Sequence, residues 1–302
     1  MSTMISSGAP RLPMPRTVPA PCRTSASSQP RCEARGVLEC VVNVAEGRNG
    51  AAIQAIGRAG DHDLLDLHSD PFHHRSVLTL VGEDAPRRVA RAAVSLVELR
   101  GHDGVHPTLG VVDVVPFVPL AKATIEDAVR ARDRFAQWMA DSYDVPCFRY
   151  GPERSLPEVR RSAFKTLAPD AGPSVPHPAL GASAVGARQL LVAYNLWLTD
   201  TDLHTAQTIA RAIRAPTLRA LGLRVGAGVQ VSMNLLAPLV TGPWDAYQLV
   251  LERVQAVGGS VDRAELVGLV SEAVLDRVPE ADWERLDLGP ERTIEARLIA
   301  RP

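Results

Sequence analysis

Val111-Val112-Asp113-Val114-Val115-Pro116-Phe117-Val118-Pro119 is so continuously apolar that, as a strand, it must be covered on both faces. A single charge, Asp113, interrupts it. Immediately before it runs Arg100-Gly101-His102-Asp103-Gly104-Val105-His106-Pro107-Thr108-Leu109-Gly110, where glycines and a proline break any regular structure. The spacing of His102 and His106 would place both on one helical face, as in helical zinc sites. Gly104 between them and Pro107 after them argue against a helix. What remains is a pair of histidines held by a rigid loop at a strand's entrance, where an imidazole can move a proton near neutral pH. A loop histidine bonded only to backbone fits the same spacing.

Working backwards from the loop, Pro86 suits the first turn of a helix whose Val89, Ala93 and Leu96 recur at helical spacing until Arg100 and Gly101 end it. Upstream, Val37 to Val44 reads as a strand, Asn49 to Gly60 as a helix, and Leu64 to Leu67 and Ser76 to Val81 as strands. The order is β-α-β-β-α-β. Working forwards, a helix from Thr124 to about Asp141 should bury Ala128, Ala131, Phe135 and Met139. Cys147 to Tyr150 adds a strand and Leu156 to Phe164 a short helix. Ala168 to Gly186 is a long loop rich in proline and glycine, marking a domain boundary.

The same order then returns, with strands Leu190 to Leu198, Leu218 to Val225, Val229 to Leu235 and Val261 to Val270. The helices are Asp202 to Ile213 and Trp244 to Val257, the latter with the stripe Ala246, Val250, Val254, Val257. The repeat predicts an α+β fold of two tandem ferredoxin-like units, 37–189 and 190–302, whose sheets face each other across a cleft. Glu291 to Ala300 reads as an edge strand or tail. Met1 to Gly36, rich in Ser, Pro and Arg with the single acid Glu33, reads as a disordered extension.

The chain has 302 residues, 46% of them hydrophobic, enough for a substantial core. Its net charge of -1 advertises neither nucleic acid nor an anionic membrane as partner. No apolar run reaches transmembrane length. Cys22, Cys32, Cys40 and Cys147 form no CxxC pair, so reduced thiols in a cytoplasmic protein are the simplest reading. Five of the eight histidines fall between His68 and His106, which invites a metal. Only His73-His74 and the glycine-broken His102/His106 pair are close in sequence, and no metal is expected. Asp66-Leu67-His68-Ser69-Asp70-Pro71-Phe72-His73-His74-Arg75 places acids, histidines and an arginine on one connection between strands, where a solvated hairpin fits equally well.

Several of these runs resemble one family, that of glutamate formimidoyltransferase: Glu39-Cys40-Val41-Val42-Asn43-Val44-Ala45-Glu46-Gly47, Leu65 to Asp70 with Arg75-Ser76-Val77, and the histidine loop with Asp113-Val114-Val115-Pro116-Phe117. Downstream, Val145-Pro146, Tyr150-Gly151, Pro169 to Pro173, Gly181-Ala182, Val185 to Arg188, Ala193-Tyr194-Asn195 and Val229 to Leu235 continue the likeness in family order, over roughly Leu38 to Leu275. The resemblance implies two α/β subdomains with a substrate tunnel between them. It implies transfer of a formimino group from N-formimino-L-glutamate to tetrahydrofolate, giving 5-formimino-tetrahydrofolate and glutamate in histidine breakdown, with a homodimer allowed.

By the same resemblance His106 is catalytic. The folate-contacting loop is Gly172-Pro173-Ser174-Val175-Pro176-His177-Pro178-Ala179-Leu180-Gly181. The folate nitrogen must shed a proton and the departing glutamate nitrogen must gain one, so a single imidazole could serve both steps. A carboxylate, Asp113 or Asp70, would suit a cationic adduct. Both substrates carry carboxylates, for which Arg75 and Arg188 are candidate clamps, with Asn43 beside them. Val42, Val44 and Ala45 depart from the family's usual proline, aromatic residue and serine, and His74 stands where asparagine is common. The alternatives are transfer of a formyl or other one-carbon group, folate binding without catalysis, and a metal-dependent hydrolase.

Overall fold

The structure, a computed structural model, describes residues 36–301. Cys22, Cys32 and the expected disordered extension lie outside them, apart from Gly36. The first unit is β1 (Val37–Val44), α1 (Gly50–Gly60), β2 (Leu64–Asp70), β3 (Arg75–Val81), α2 (Asp84–Leu96) and β4 (Val112–Leu120). To it are added α3 (Ile125–Tyr143), β5 (Cys147–Tyr150), α4 (Leu156–Ser162) and β6 (Ser183–Ala187). The six strands form one sheet in the order β2-β3-β1-β4-β6-β5. The second unit repeats the order as β7 (Val192–Thr199), α5 (Leu203–Ala212), β8 (Leu218–Val225), β9 (Gly228–Leu235), α6 (Pro243–Gln255) and β10 (Ser260–Val267), its sheet running β10-β7-β9-β8. Each unit thus puts its fourth strand beside its first, the ferredoxin-like arrangement.

The alternation along β1 explains the layers. Cys40, Val42 and Val44 point to one face and are fully buried with Leu78, Leu80 and Phe117 under α1, α2 and α3. Glu39, Val41 and Asn43 point to the other. The three departures from the family motif thus fall largely in packing, because Val42, Val44 and Ala45 are buried at 0%, 0% and 2% exposure. Burying Phe135 and Met139 of α3 contributes roughly 2–3 kcal/mol each in transfer free energy, and the Thr124/Asp127 capping box starts that helix.

The open faces of the two sheets meet. Phe72 in the β2–β3 turn lies against Gly226 in the β8–β9 turn, where φ is +59° and a side-chain carbon would come within 2.7 Å of the ring. Further along, His73 reaches Gln230 and His68 reaches Glu265. At the far end Leu65 and Val81 pack with Leu269 and Ile294.

Four expectations need correction. The helix before the histidine loop stops at Leu96, not at Arg100, because Val97 turns extended and buries its side chain, leaving Leu96 outside. Val257 lies beyond α6 and is 60% exposed. The proline- and glycine-rich stretch from Ala168 to Gly186 is not loop throughout, since its end, Ser183–Ala187, is the small-residue strand wedged between β4 and β5. Within residues 291–300 the chain forms a capped helix, α7 (Ile294–Ile299), and not a strand: the Thr293 hydroxyl accepts from Ala296 N and Ile294 anchors it to the first sheet.

Candidate active site

Between α2 and β4 the chain makes no helix or strand, and it lies between two other segments. On one side Val105 N donates to Phe72 O, and Gly104 touches the β2–β3 hairpin so closely that a side-chain carbon there would stand 2.3 Å from His73 O. On the other side Val111 N donates to Leu180 O and Ala182 N to Leu109 O. Gly181 faces Gly110 across this contact, has φ +72°, and would put a side-chain carbon 2.3 Å from Leu109 O. Glycine is therefore required where the histidine loop meets each neighbour.

The loop closes over a cluster of buried charges. Asp113, completely buried at the start of β4, accepts from Arg75 Nη2 at 2.6 Å, from Arg160 Nη2 at 2.7 Å and from Leu109 N at 2.7 Å. Arg75 also donates to Asn43 Oδ1 at 2.9 Å, and both guanidiniums donate to Pro107 O. Burial pushes the Asp113 carboxyl up, but Arg75 and Arg160 outweigh it and hold it below the usual carboxylate range. Two guanidiniums sharing one carboxylate leave the cluster one positive charge in excess. Arg75 Nε is buried with no acceptor.

His106 sits beside this cluster. Its Nδ1 lies 3.0 Å from Pro107 O, and since a carbonyl only accepts, Nδ1 carries the proton and Nε2 presents a lone pair. Burial, then the charge of Arg75, press its pKa far below the ordinary histidine value. The expectation of an imidazole poised near neutral pH is overturned for the free protein, in which His106 is neutral. Around it, His73 lies with its ring centroid 6.1 Å away, and His74 and His102 stack at 4.5 Å. His102 Nε2 donates to His74 O, while His74 Nδ1 accepts from Gly47 N. Burial, aided by His102 and Arg48, holds the His74 pKa below the ordinary histidine value. His74 thereby ties the Glu46-Gly47 turn to the hairpin.

Of the residues named from sequence, Asn43, Arg75 and His106 come together around Asp113. Arg188 does not join them through any contact. It follows β6 at the other end of β4, where its backbone N donates to Phe117 O and its side chain to Gln189 O. Of the carboxylates suggested for a cationic adduct, Asp113 is taken up by the arginines, and one oxygen of Asp70, Oδ1, accepts from Phe72 N and His73 N to shape the hairpin turn. The Gly172 to Gly181 segment lies on the surface and is bonded to the histidine loop, with His177 Nδ1 accepting from Ala179 N and Leu180 N. Val175 there is 63% exposed.

Arg160 was not legible beforehand. It is delivered by α4, whose Val159 is buried against Phe148 and Tyr150, and a basic pair in a short helix carries no distinguishing pattern. Also missed was a network between the sheets. Glu265 Oε2 accepts from Trp197 Nε1 at 3.0 Å, Asn195 Nδ2 at 3.2 Å and Gln230 Nε2 at 3.3 Å, and its Oε1 lies 3.2 Å from His68 Nε2. Cys40 and Cys147 are buried free thiols. Among the described residues no helix is long and apolar enough to cross a membrane.

Comparison with known proteins identifies the family. Residues 37–188 match the model of the formiminotransferase domain, N-terminal subdomain. A glutamate formimidoyltransferase of Thermoplasma acidophilum is 34% identical over 272 residues, covering 79% of this chain and 89% of that protein. One from Streptococcus pyogenes is 31% identical, covering 81% and 92%. The formimidoyltransferase-cyclodeaminase of Sus scrofa is 34% identical over 80% of this chain, which spans only 51% of that relative's length. The chain belongs to the formiminotransferase family of one-carbon transferase enzymes.

Proposed function

We propose that the protein moves a formimino group from N-formimino-L-glutamate to tetrahydrofolate, releasing L-glutamate, as in histidine breakdown, and that the space between the two sheets is its substrate cleft. The observation that carries this reading is the neutral His106, with Nε2 as a lone pair, set beside two guanidiniums that share one carboxylate. That excess positive charge suits a substrate bearing carboxylates, which both glutamate derivatives and folates do. Tetrahydrofolate supplies the nucleophilic nitrogen. His106 Nε2 takes the proton that this nitrogen sheds, and a substrate carboxylate arriving at Arg75 and Arg160 offsets the charges that otherwise oppose it. Gly172 to Gly181, bonded to the histidine loop, flanks the folate.

The test is direct. Incubation with tetrahydrofolate and N-formimino-L-glutamate should change the folate's absorbance and release glutamate at equal rates. Turnover of N-formyl-L-glutamate alone would shift the assignment to a formyl transferase, and hydrolysis of the donor without folate would refute transfer.

A further inference from the structure

A second imidazole faces the same space from the other end of the inter-sheet network. Its frame comes from both units. His68 stands on β2 opposite Val77 of β3, on the sheet face that also presents Asn43 and Arg75. Glu265 of β10 holds His68 Nε2 at 3.2 Å, and the two side chains are 23% and 21% exposed. Three donors from β7 and β9 fix the carboxylate's other oxygen, and although burial pushes its pKa up, the hydrogen bonds from His68, Trp197 and Asn195 bring it down to about 2. Glu265 is therefore anionic throughout the working range. Two further charged groups belong to these surroundings: Asp66 on the same strand as His68, whose carboxyl burial pushes up, and Arg263 of β10, whose guanidinium lies over the Trp197 ring at 4.1 Å. Val77, Asn195, Trp197 and Gln230 are uncharged.

The network continues to the first imidazole. Gln230 donates through Nε2 to Glu265, so its Oε1 is left to accept from His73 Nε2 at 3.3 Å, and the His73 ring lies beside His106. His68 and His106 thus terminate one chain of contacts crossing from sheet to sheet. Their surroundings are opposite. His106 is hemmed by guanidiniums, which hold it neutral and oppose its protonation until a substrate carboxylate offsets them. His68 has a fixed carboxylate on one nitrogen, the arrangement that orients an imidazole and stabilises the imidazolium, and its Nδ1 carries no hydrogen bond among the described residues.

We propose that His68, oriented by Glu265, is a second catalytic residue: the acid that protonates the departing glutamate nitrogen while His106 takes the proton from the attacking folate nitrogen. The proposal rests on the formimino-transfer reading above. In the step, a bond forms between the folate nitrogen and the formimino carbon, and the bond from that carbon to the glutamate nitrogen breaks. One proton passes to His106 Nε2 and one leaves His68 Nδ1, so charge and protons balance, and exchange with solvent resets both rings. Glu265 and Gln230 are positioning residues, acting through His68 and His73.

His68→Gln and Glu265→Gln test this, with melting temperatures checked against the wild type. His68→Gln should lower kcat on the order of a hundredfold while KM for N-formimino-L-glutamate stays within about threefold. Glu265→Gln should lower kcat by roughly tenfold and shift the alkaline limb of the kcat profile to lower pH, because the imidazolium has lost its anion. A His68→Gln protein with kcat within about threefold of wild type, or with a loss confined to KM, would overturn the assignment. If that variant does not fold, the Glu265→Gln profile decides, and an unmoved alkaline limb overturns it. A wild-type protein that releases no glutamate from the donor overturns the transfer reading and this one with it, whereas an active wild type with an active His68→Gln overturns only the role of His68.

Discussion

The two units share an element order and a strand order, yet among the described residues only the first holds a buried arginine–aspartate–arginine cluster. The difference lies in two connections. Between the second helix and the fourth strand the first unit runs through 97–111, while the second unit needs only 256–259. Between the second and third strands the first uses 71–74 and the second only 226–227. In the first unit these two connections touch each other, the longer carrying His106 and the shorter leading into Arg75 at the start of β3, which bonds Asp113. In the second, a glycine at positive φ, Gly226 or Gly258, simply closes each turn. Histidines follow the same division, with His204 on α5 standing alone in the second unit. A duplicated sheet supplies the frame, and the chemistry resides in the connections grafted on it.

Breaking the cluster should have the largest effect. Asp113→Ala strands the buried Arg75 guanidinium and the half-buried Arg160, so stability should fall on the order of 3–5 kcal/mol in denaturant titrations, with transfer abolished. A loss below about 1 kcal/mol would show that solvent already screens the arginines.

Glu39 sharpens the contrast between a partnered and an unpartnered carboxylate. Unlike Glu265 it has an oxygen with no hydrogen bond, and burial pushes it up to about 7 from 4.5, with Arg188 offsetting part of this. The folded chain thus keeps a proton that the unfolded chain releases, and stability is lost as pH rises from about 4.5 through 7. Glu39→Gln should be more stable than wild type by about 1–3 kcal/mol at pH 8 and indistinguishable near pH 4. A variant less stable at pH 8 would reveal an ionic partner.

The smallest effect is expected on the surface. Val175→Ser, at an exposed position beside the histidine loop, should leave stability within about 0.5 kcal/mol and weaken tetrahydrofolate binding severalfold in a titration. Unchanged affinity would remove the segment from the folate site. Gly181 is unsuited to this purpose, because a larger residue there collides with Leu109 and reshapes the histidine loop itself.

What the sequence disclosed follows from how far its signals reach. β1, β4 and both rounds of β-α-β-β-α-β are local patterns of alternation and helical spacing, and they were legible. α7 was not, because a six-residue helix gives fewer than two turns of periodicity and its anchor, Ile294, gains meaning only against Leu65 and Val81. Asn43, Arg75 and His106 stood out through family motifs. The partners that set their chemistry did not: Arg160 meets Asp113 from a helix 47 residues away, and Glu265 meets His68 from the other unit. The tautomer of His106 depends on Pro107 O and its protonation state on burial and the charge of Arg75, so spacing alone could place the imidazole without fixing how it behaves.

The central claim is that transfer depends on the histidine carried by the long connection of the first unit. Turnover of N-formimino-L-glutamate with tetrahydrofolate, measured in wild type, His106→Ala, His102→Ala and His204→Ala, tests it most directly. The expected result is a loss on the order of a hundredfold or more in kcat for His106→Ala with tetrahydrofolate still bound, a smaller loss for His102→Ala and none for His204→Ala. Near-normal turnover in His106→Ala, with the wild-type pH profile, would contradict it.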